Sequence, residues 1–351
     1  MPKKTPVILD EVNTQWRIAR RPTGNNVQRQ DFSLHEENIP ACGDGQVLLR
    51  TLYLNLAPVM RMYMMGVGAA REKPLGIGDV IHGRGVAEVV ESHHPDYRVG
   101  DIVQGQLGWQ TYKTSAMTAA ELMRKIPDRG VSYGLSLGPL GMTGFSAYFG
   151  FIDRGSPKKG DTVVVSAAAG GVGSIVIQIA KIYGCRVIGI AGGPEKCNRI
   201  TQWCDDTIDY RNENVPARLE HLLPNGFDIY FDNVGGDTLD ACMDNMNAGA
   251  RIVLCGSISE YTTDEPYGLK NYARLRSANA SMLGFFVYNY EKEFAQAEED
   301  LATWILSGEL TPLVDVVEGF EAMPEGLARL YSHKNIGPAY CRVQGDCYDL
   351  E

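Results

Sequence analysis

The sequence predicts an α/β protein of two domains, a β-rich first domain followed by a doubly wound parallel sheet. Three observations predict it. The chain has 351 residues, 44% of them hydrophobic, enough to fill two cores. Up to about Ser132 the apolar residues come in short β-type runs punctuated by Gly, Pro and Asp. Beyond that point strand-like and helix-like runs alternate, the pattern of strand–helix–strand units sharing a parallel sheet.

In the first third, GQVLLRTLYLNLAP (Gly45–Pro58), GDVIHGRGVAEVVES (Gly78–Ser92) and VGDIVQGQLGWQTYKT (Val99–Thr114) carry the Val, Ile, Leu, Tyr and Thr of strands. HPDYRVGD reads as the turn between the last two, and together they imply a compact, strongly bent β domain. LSLGPLGMTGFSAYFGFIDRG (Leu135–Gly155) reads as a helix whose small residues allow close packing. The alternation starts with the strand VVVSA, a helix from near Gly173 and the strand RVIGIAG (Arg186–Gly192). A helix over PEKCNRITQWC, the strand TIDY (Thr207–Tyr210) and a helix around VPARLEHLLP follow. FDIYFDNVGG (Phe227–Gly236), the helix TLDACMDNM, ARIVLCGS (Ala250–Ser257) and SMLGFFVYN (Ser281–Asn289) complete the sheet. The runs VVV and RIVLC suit strands covered on both faces. EKEFAQAEEDLATWILSGEL (Glu291–Leu310) is an amphipathic helix ending near Gly308. Beyond Pro312 a helix (MPEGLARLYSH) precedes a last strand (PAYCRVQ).

Charge and composition remove several function classes. A formal net charge of −10 argues against nonspecific binding of nucleic acid or an anionic membrane, while allowing a local basic pocket. The N-terminus lacks an apolar core of signal-peptide length, and no apolar run is long enough to span a bilayer, so a cytoplasmic location is expected. The eight cysteines form no CxxC pair and read as reduced, incidental thiols. The tight histidine pair His93–His94 lies in a loop where neighbouring side chains diverge, so no metal site is expected.

The informative stretch is SAAAGGVGS (Ser166–Ser174), set between DTVVV and IVIQIAKIYG. Ala167, Gly170 and Gly173 keep the spacing of a dinucleotide-binding turn, with alanine in the first glycine's place. Gly170 and Gly171 have no β-carbon, so backbone can approach a pyrophosphate, and the helix start near Val172 points N–H groups and partial positive charge at it. An NAD site usually carries an acid after the second strand, to bind the ribose 2′-hydroxyl. Here that strand ends in Ala191, Gly192 and Gly193, with Lys196 just beyond. Lys196 has the ordinary role of an exposed helix-start lysine as its alternative. The small residues and the missing acid favour a 2′-phosphate on it, and hence NADPH over NADH.

AAAGGVGS, AGGPEKC, DIYFDNVGG, RIVLCGSISEY and GMTGFSAYFG together resemble the zinc-independent medium-chain dehydrogenase/reductases. Within them they resemble the prostaglandin/leukotriene and alkenal double-bond reductases, and most of all the bacterial NADPH-dependent curcumin reductases. LLRTLYLNLAPVMRMYM, GDVIHGRGVAEVVESHHPDY and GWQTYK extend the likeness into the first domain. The resemblance implies a GroES-like catalytic domain over 1–134, a Rossmann NADPH-binding domain over 135–311 and a tail, 312–351, returning to the first. It also implies a homodimer joined through the Rossmann sheets. It places Gly170, Gly171 and Val172 at the pyrophosphate and Gly192, Lys196 and Tyr210 around the 2′-phosphate. Asn233, Cys255 and Ser257 fall along the adenosine and ribose. Met142, Thr143, Phe285 and Val287 fall toward the nicotinamide, with Asn335 contributed by the tail. Ala57–Pro58–Val59, Thr143 in GMTG and Pro338 after KNIG depart from the family pattern and bear on the shape of the pocket. Where zinc-dependent relatives carry a Gly-His-Glu stretch and a ligand cysteine, HGRGVAEV has Arg84, so zinc chemistry is not expected.

The implied reaction reduces the carbon–carbon double bond of an α,β-unsaturated ketone or aldehyde, curcumin-type enones and 2-alkenals included. Without a metal, hydrogen-bond donors must hold the charge that develops on the carbonyl oxygen. Tyr261, after GSISE at a strand end, is the candidate, with Tyr53 and the cofactor's ribose hydroxyl as further donors, and Tyr261 or water gives the α-carbon its proton. The chain has 17 tyrosines, so packing is the rival role for each, and Tyr53 lies in an apolar strand. Aromatic and methionine side chains in LYLNLAPVMRMYMMG have the same two readings, pocket or core. A quinone reductase of the same superfamily and a noncatalytic NADPH-binding protein are the alternatives.

Overall fold

The computed structural model describes residues 12–24, 26–67, 73–118, 121–260, 267–332 and 334–348. The chain forms two compact units, one of Met1–Leu137, Asp315–Lys334 and Ala339–Glu351, the other of Gly138–Val314 and Asn335–Pro338.

The first unit is built on antiparallel strands. β1 (Val12–Ile18) and β2 (Phe32–Asn38) pair as a two-stranded sheet. β3 (Val47–Leu56), β4 (Arg84–Ser92), β5 (Ile102–Gln106), β6 (Tyr112–Ser115) and β7 (Arg124–Lys125) join the tail strands Asp315–Glu318 and Ala339–Arg342 in a seven-stranded sheet. The centre is β3. One edge pairs with β4; the other pairs with β6 through Val47–Arg50 and with Ala339–Arg342 through Tyr53–Leu56. Eight of its ten residues are therefore buried, which is why LLRTLYLNL reads as an almost unbroken apolar run. The core packs Phe32 against Trp109, ring centroids 5.7 Å apart, and Trp16 donates its indole N–H to the Phe320 carbonyl at 2.9 Å.

The second unit carries β8 (Thr162–Ser166), β9 (Arg186–Ala191), β10 (Asp206–Asp209), β11 (Phe227–Asp232), β12 (Met246–Leu254) and β13 (Ser281–Gly284). All pair in parallel, in the order β10-β9-β8-β11-β12-β13. The order reverses between β8 and β11, so the carboxyl ends of these two strands flank the point where such sheets bind ligands. Val163, Val164, Val165, Val187, Ile188, Ile229 and Phe231 are fully buried, as expected for strands covered on both faces.

The elements differ from the sequence expectation in four places. Leu135–Gly155 is not one helix: a 3₁₀ turn over Tyr133–Leu137, an α-helix over Met142–Tyr148 and a π-helical turn over Phe149–Arg154 replace it. Gly138, Pro139 and Gly141 break the first segment, and Gly141 is extended at the helix start. The strand expected over Ser281–Asn289 stops at Gly284 and passes into a 3₁₀ helix over Val287–Glu293. Gly78–Ser92 is a strand only from Arg84. The β1–β2 pair and the short helix Met60–Met64 carried too weak a period to be read.

Gly144 fixes how the helix Met142–Tyr148 follows the turn before it, because a β-carbon there would lie 1.8 Å from the Pro139 carbonyl oxygen. Gly144→Ala should cost about 3 kcal/mol in urea unfolding, at the upper end for overpacking. Gly284→Ala, where a β-carbon meets nothing within 4 Å, should change stability by less than about 1 kcal/mol.

Candidate functional site

The site grows from a buried carboxylate at the strand reversal. Asp232, the last residue of β11, is 1% exposed. Its carboxylate accepts hydrogen bonds from the Tyr230 hydroxyl at 2.7 Å and the Ser166 hydroxyl at 3.1 Å, and from the N–H groups of Val234 and Gly235 at 3.0 Å each. Ser166 ends β8, so one side chain ties the two central strands. Asn233 repeats the tie: its backbone N–H donates to the Ser166 hydroxyl at 2.9 Å and its side-chain amide to the Ser166 carbonyl at 2.8 Å. Cys255 and Gly256 donate their N–H groups to the Asp232 carbonyl, at 2.9 and 3.2 Å, bringing the end of β12 to the same point. Burial, then the Asp232 charge, push the Cys255 thiol up to about 12, so it is a neutral thiol at pH 7. Ser257 packs beside Gly235 and its carbonyl accepts the N–H of Glu260.

The glycine turn leaves β8 directly. Ala167 holds a left-handed φ of 47°, the conformation that the usual glycine adopts without strain. Gly173 cannot carry a side chain, since a β-carbon would lie 2.3 Å from the Ala167 carbonyl oxygen. No side chain caps the helix Gly173–Ile182, and the N–H groups of Gly171 and Val172 have no partner among the described residues. They are available to an anion, on the end of the helix where its dipole is positive. A β-carbon on Gly171 would approach the Thr143 methyl to 3.2 Å, so Thr143, in the first turn of the helix after Met142, borders the cradle. The tail borders it too. Gly337 donates its N–H to the Ala169 carbonyl at 2.8 Å, and Asn335 donates its side-chain amide to the Gly337 carbonyl at 3.0 Å.

At the end of β9 the Tyr210 ring lies over Gly192, where a β-carbon would be 2.7 Å from the ring. Lys196 is half-buried in the helix Pro194–Ile200. The acid nearby is Asp209, and it faces backbone. It accepts the N–H groups of Gly193 and Arg211 at 2.7 and 3.0 Å and the Asn212 amide at 2.7 Å. Burial raises its pKa, but the Asn212 hydrogen bond, the two N–H groups and the Arg211 charge outweigh it and hold the carboxyl below its ordinary range. Arg211 was not expected from sequence. Its guanidinium is 6.0 Å from the Tyr210 ring centroid, and Nη1 is the nearest atom, 3.8 Å away, to a β-carbon built on Gly193. YR directly after a short strand was the available signal.

The remaining expected residues are placed unevenly. Phe285 packs its ring on Gly150 of the π-helical turn, and Val287 opens the following 3₁₀ helix. Tyr261 lies outside the described residues. Tyr53 is fully buried, edge-on to Tyr340 with ring centroids 5.7 Å apart, and its hydroxyl accepts from Ser132 at 3.2 Å.

The chain is similar to known oxidoreductases over most of its length. A family described as "N-terminal domain of oxidoreductase" matches residues 14–124, and one described as "zinc-binding dehydrogenase" matches 171–303. Among the described residues of that second stretch no three His, Cys, Asp or Glu ligand atoms gather as a metal site would need. The chain is 38% identical over 342 residues to NADPH-dependent curcumin reductase of Escherichia coli, covering 95% of this chain and 98% of that protein. It is 39% identical over 298 residues to NADP(+)-dependent 2-alkenal reductase of Nicotiana tabacum, covering 84% and 86%. The solved structure of CurA from Vibrio vulnificus in complex with NADPH superposes with a TM-score of 0.85 at 36% identity, covering 94% of this chain and 99% of that one. The chain belongs to the medium-chain dehydrogenase/reductases, in the group of the curcumin, alkenal and prostaglandin double-bond reductases.

Proposed function

We propose that this protein is an NADPH-dependent reductase of the carbon–carbon double bond in α,β-unsaturated ketones and aldehydes. The observation that carries it is the end of β9, where the Tyr210 ring lies over Gly192, Arg211 stands beside Tyr210 and Gly193, Lys196 follows in the next helix, and the nearby carboxylate of Asp209 is engaged by backbone. This arrangement fits an adenosine 2′-phosphate and penalises a bare ribose less than an acid would penalise the phosphate. The N–H groups of Gly171 and Val172 would hold the pyrophosphate, and Met142, Thr143, Phe285, Val287 and Asn335 would border the rest of the cofactor. Bound NADPH supplies the hydride.

The chain's own part is position and charge. Holding both reactants converts a bimolecular encounter into one of fixed geometry. Tyr261 donates a hydrogen bond to the substrate's carbonyl oxygen, where negative charge grows as hydride reaches the β-carbon; the α-carbon of the enolate then takes a proton from the Tyr261 hydroxyl, which solvent replenishes, or from water. A tyrosine suits this role because it is neutral at pH 7 and its ring stacks on a flat substrate. Asn233, Cys255 and Ser257 keep the adenosine side of the site in place. As a member of its family the enzyme would be a cytoplasmic homodimer, with β13, the edge of the parallel sheet, the strand a second copy extends.

NADPH consumption should be seen with enones and 2-alkenals, and NADH should support it poorly. Turnover with quinones alone, or with none of these acceptors, would replace the proposal by one of its alternatives. Lys196→Ala and Arg211→Ala should each raise KM for NADPH by about 10- to 100-fold, the worth of one charged hydrogen bond, and leave KM for NADH unchanged. Tyr261→Phe should lower kcat by about 100-fold or more with NADPH affinity unaltered, and an unchanged kcat would remove the acid role. Tyr53→Phe should cost about 1 kcal/mol of stability and keep kcat/KM.

A further inference from the structure

The reductase reading leaves unused a group of side chains in the first unit. A sulfur of Cys42, a carboxylate oxygen of Glu91 and a ring nitrogen of His93 all lie within 4.8 Å of one another. Cys42 stands before β3, and Glu91 and His93 stand at the end of β4. The antiparallel register brings them together, since Val47 faces Ser92 and Leu48 faces Glu91. The intervening turn is pinned from both sides. Gly45 donates its N–H to the His93 carbonyl at 3.2 Å, His93 donates its own to the Gln46 carbonyl at 2.8 Å, and the Gln46 side-chain oxygen accepts the Gly43 N–H at 2.9 Å. The backbone that carries the three ligand atoms is thus held by β-pairing and three further hydrogen bonds.

We propose that Cys42, Glu91 and His93 bind a zinc-class divalent cation at the surface of the first unit. One sulfur, one imidazole and one carboxylate form a borderline-soft set, and zinc takes all three donor types at about 2.0 to 2.3 Å, with water completing a tetrahedron. Calcium and magnesium, which need oxygen ligands, fit it poorly. Cys42 is half-buried while Glu91 and His93 are exposed, so a hydrated ion has access. His93 Nε2 and Glu91 Oε1 are 2.9 Å apart, and this contact is exchanged for two bonds to the ion. As the sulfur–metal bond forms, the thiol proton leaves to solvent. The net charge of −10 favours a cation anywhere on this surface; the thiol and imidazole make one position selective. The ion would tie the turn before β3 to the end of β4, which stabilises the first unit by binding the folded state alone.

Cobalt(II) titration of the purified, chelator-treated full chain tests this. One equivalent should bind with a thiolate-to-cobalt charge-transfer band, zinc should displace it, and zinc should raise the Tm. Cys42→Ser should abolish the band and the Tm increment, and His93→Ala should weaken binding more than about tenfold. Cys347→Ser, which removes an exposed thiol elsewhere, should leave both intact. NADPH turnover of Cys42→Ser should match wild type, which keeps this test separate from that of the reductase. The absence of a band in the wild type, or a band that survives Cys42→Ser, would overturn the site.

Discussion

The site depends on one constraint: a carboxylate with almost no solvent must find all its partners in protein. Asp232 finds them in the hydroxyls of Ser166 and Tyr230 and the N–H groups of Val234 and Gly235. A buried charge left without such donors costs several kcal/mol, so the strand ends that supply them cannot move apart independently. Burial, then the Asp232 charge, push the Tyr230 phenol well above its ordinary pKa, which keeps it a donor. The glycine turn leaves β8 at Ser166 and the DNVGG loop leaves β11 at Asp232, so both begin from a fixed point.

Around that point the second unit separates two tasks. Under the proposed function, backbone would handle the part common to every dinucleotide, through Gly171 and Val172 at an uncapped helix start. Side chains would handle the part that distinguishes one dinucleotide from another, through Lys196, Tyr210 and Arg211. Asp209 shows how the distinction is kept. The acid that ends β10 lies beside the end of β9, yet its oxygens are spent on Gly193, Arg211 and Asn212, so its charge orders the loop.

How much of this was legible in the sequence follows from how local each signal is. The parallel sheet was legible because VVV, VIGIAG and IYF are unbroken nonpolar or aromatic runs, the pattern of strands covered on both faces. The glycine turn was legible because its spacing is itself the geometry: Gly173 lies against Ala167 in chain and in space. Arg211 was not, since one arginine after a short strand has no period to mark it. Nor was the burial of Tyr53, because an apolar strand predicts packing but does not say where a hydroxyl ends. The grouping of Cys42 with Glu91 and His93 was hidden by separation, since Cys42 reaches them only through the β3–β4 register. The broken segment after Leu135 was misread because propensity favoured helix where Pro139 and Gly141 set the turns.

Residues 335–342 serve both units. Asn335–Pro338 border the glycine turn, and Ala339–Arg342 pairs with the second half of β3. One short segment thus completes the pairing of the central strand of one unit and walls the anion cradle of the other. A change of backbone within these eight residues acts on strand pairing and on the turn together, so the two units are linked through stability as well as through the chain.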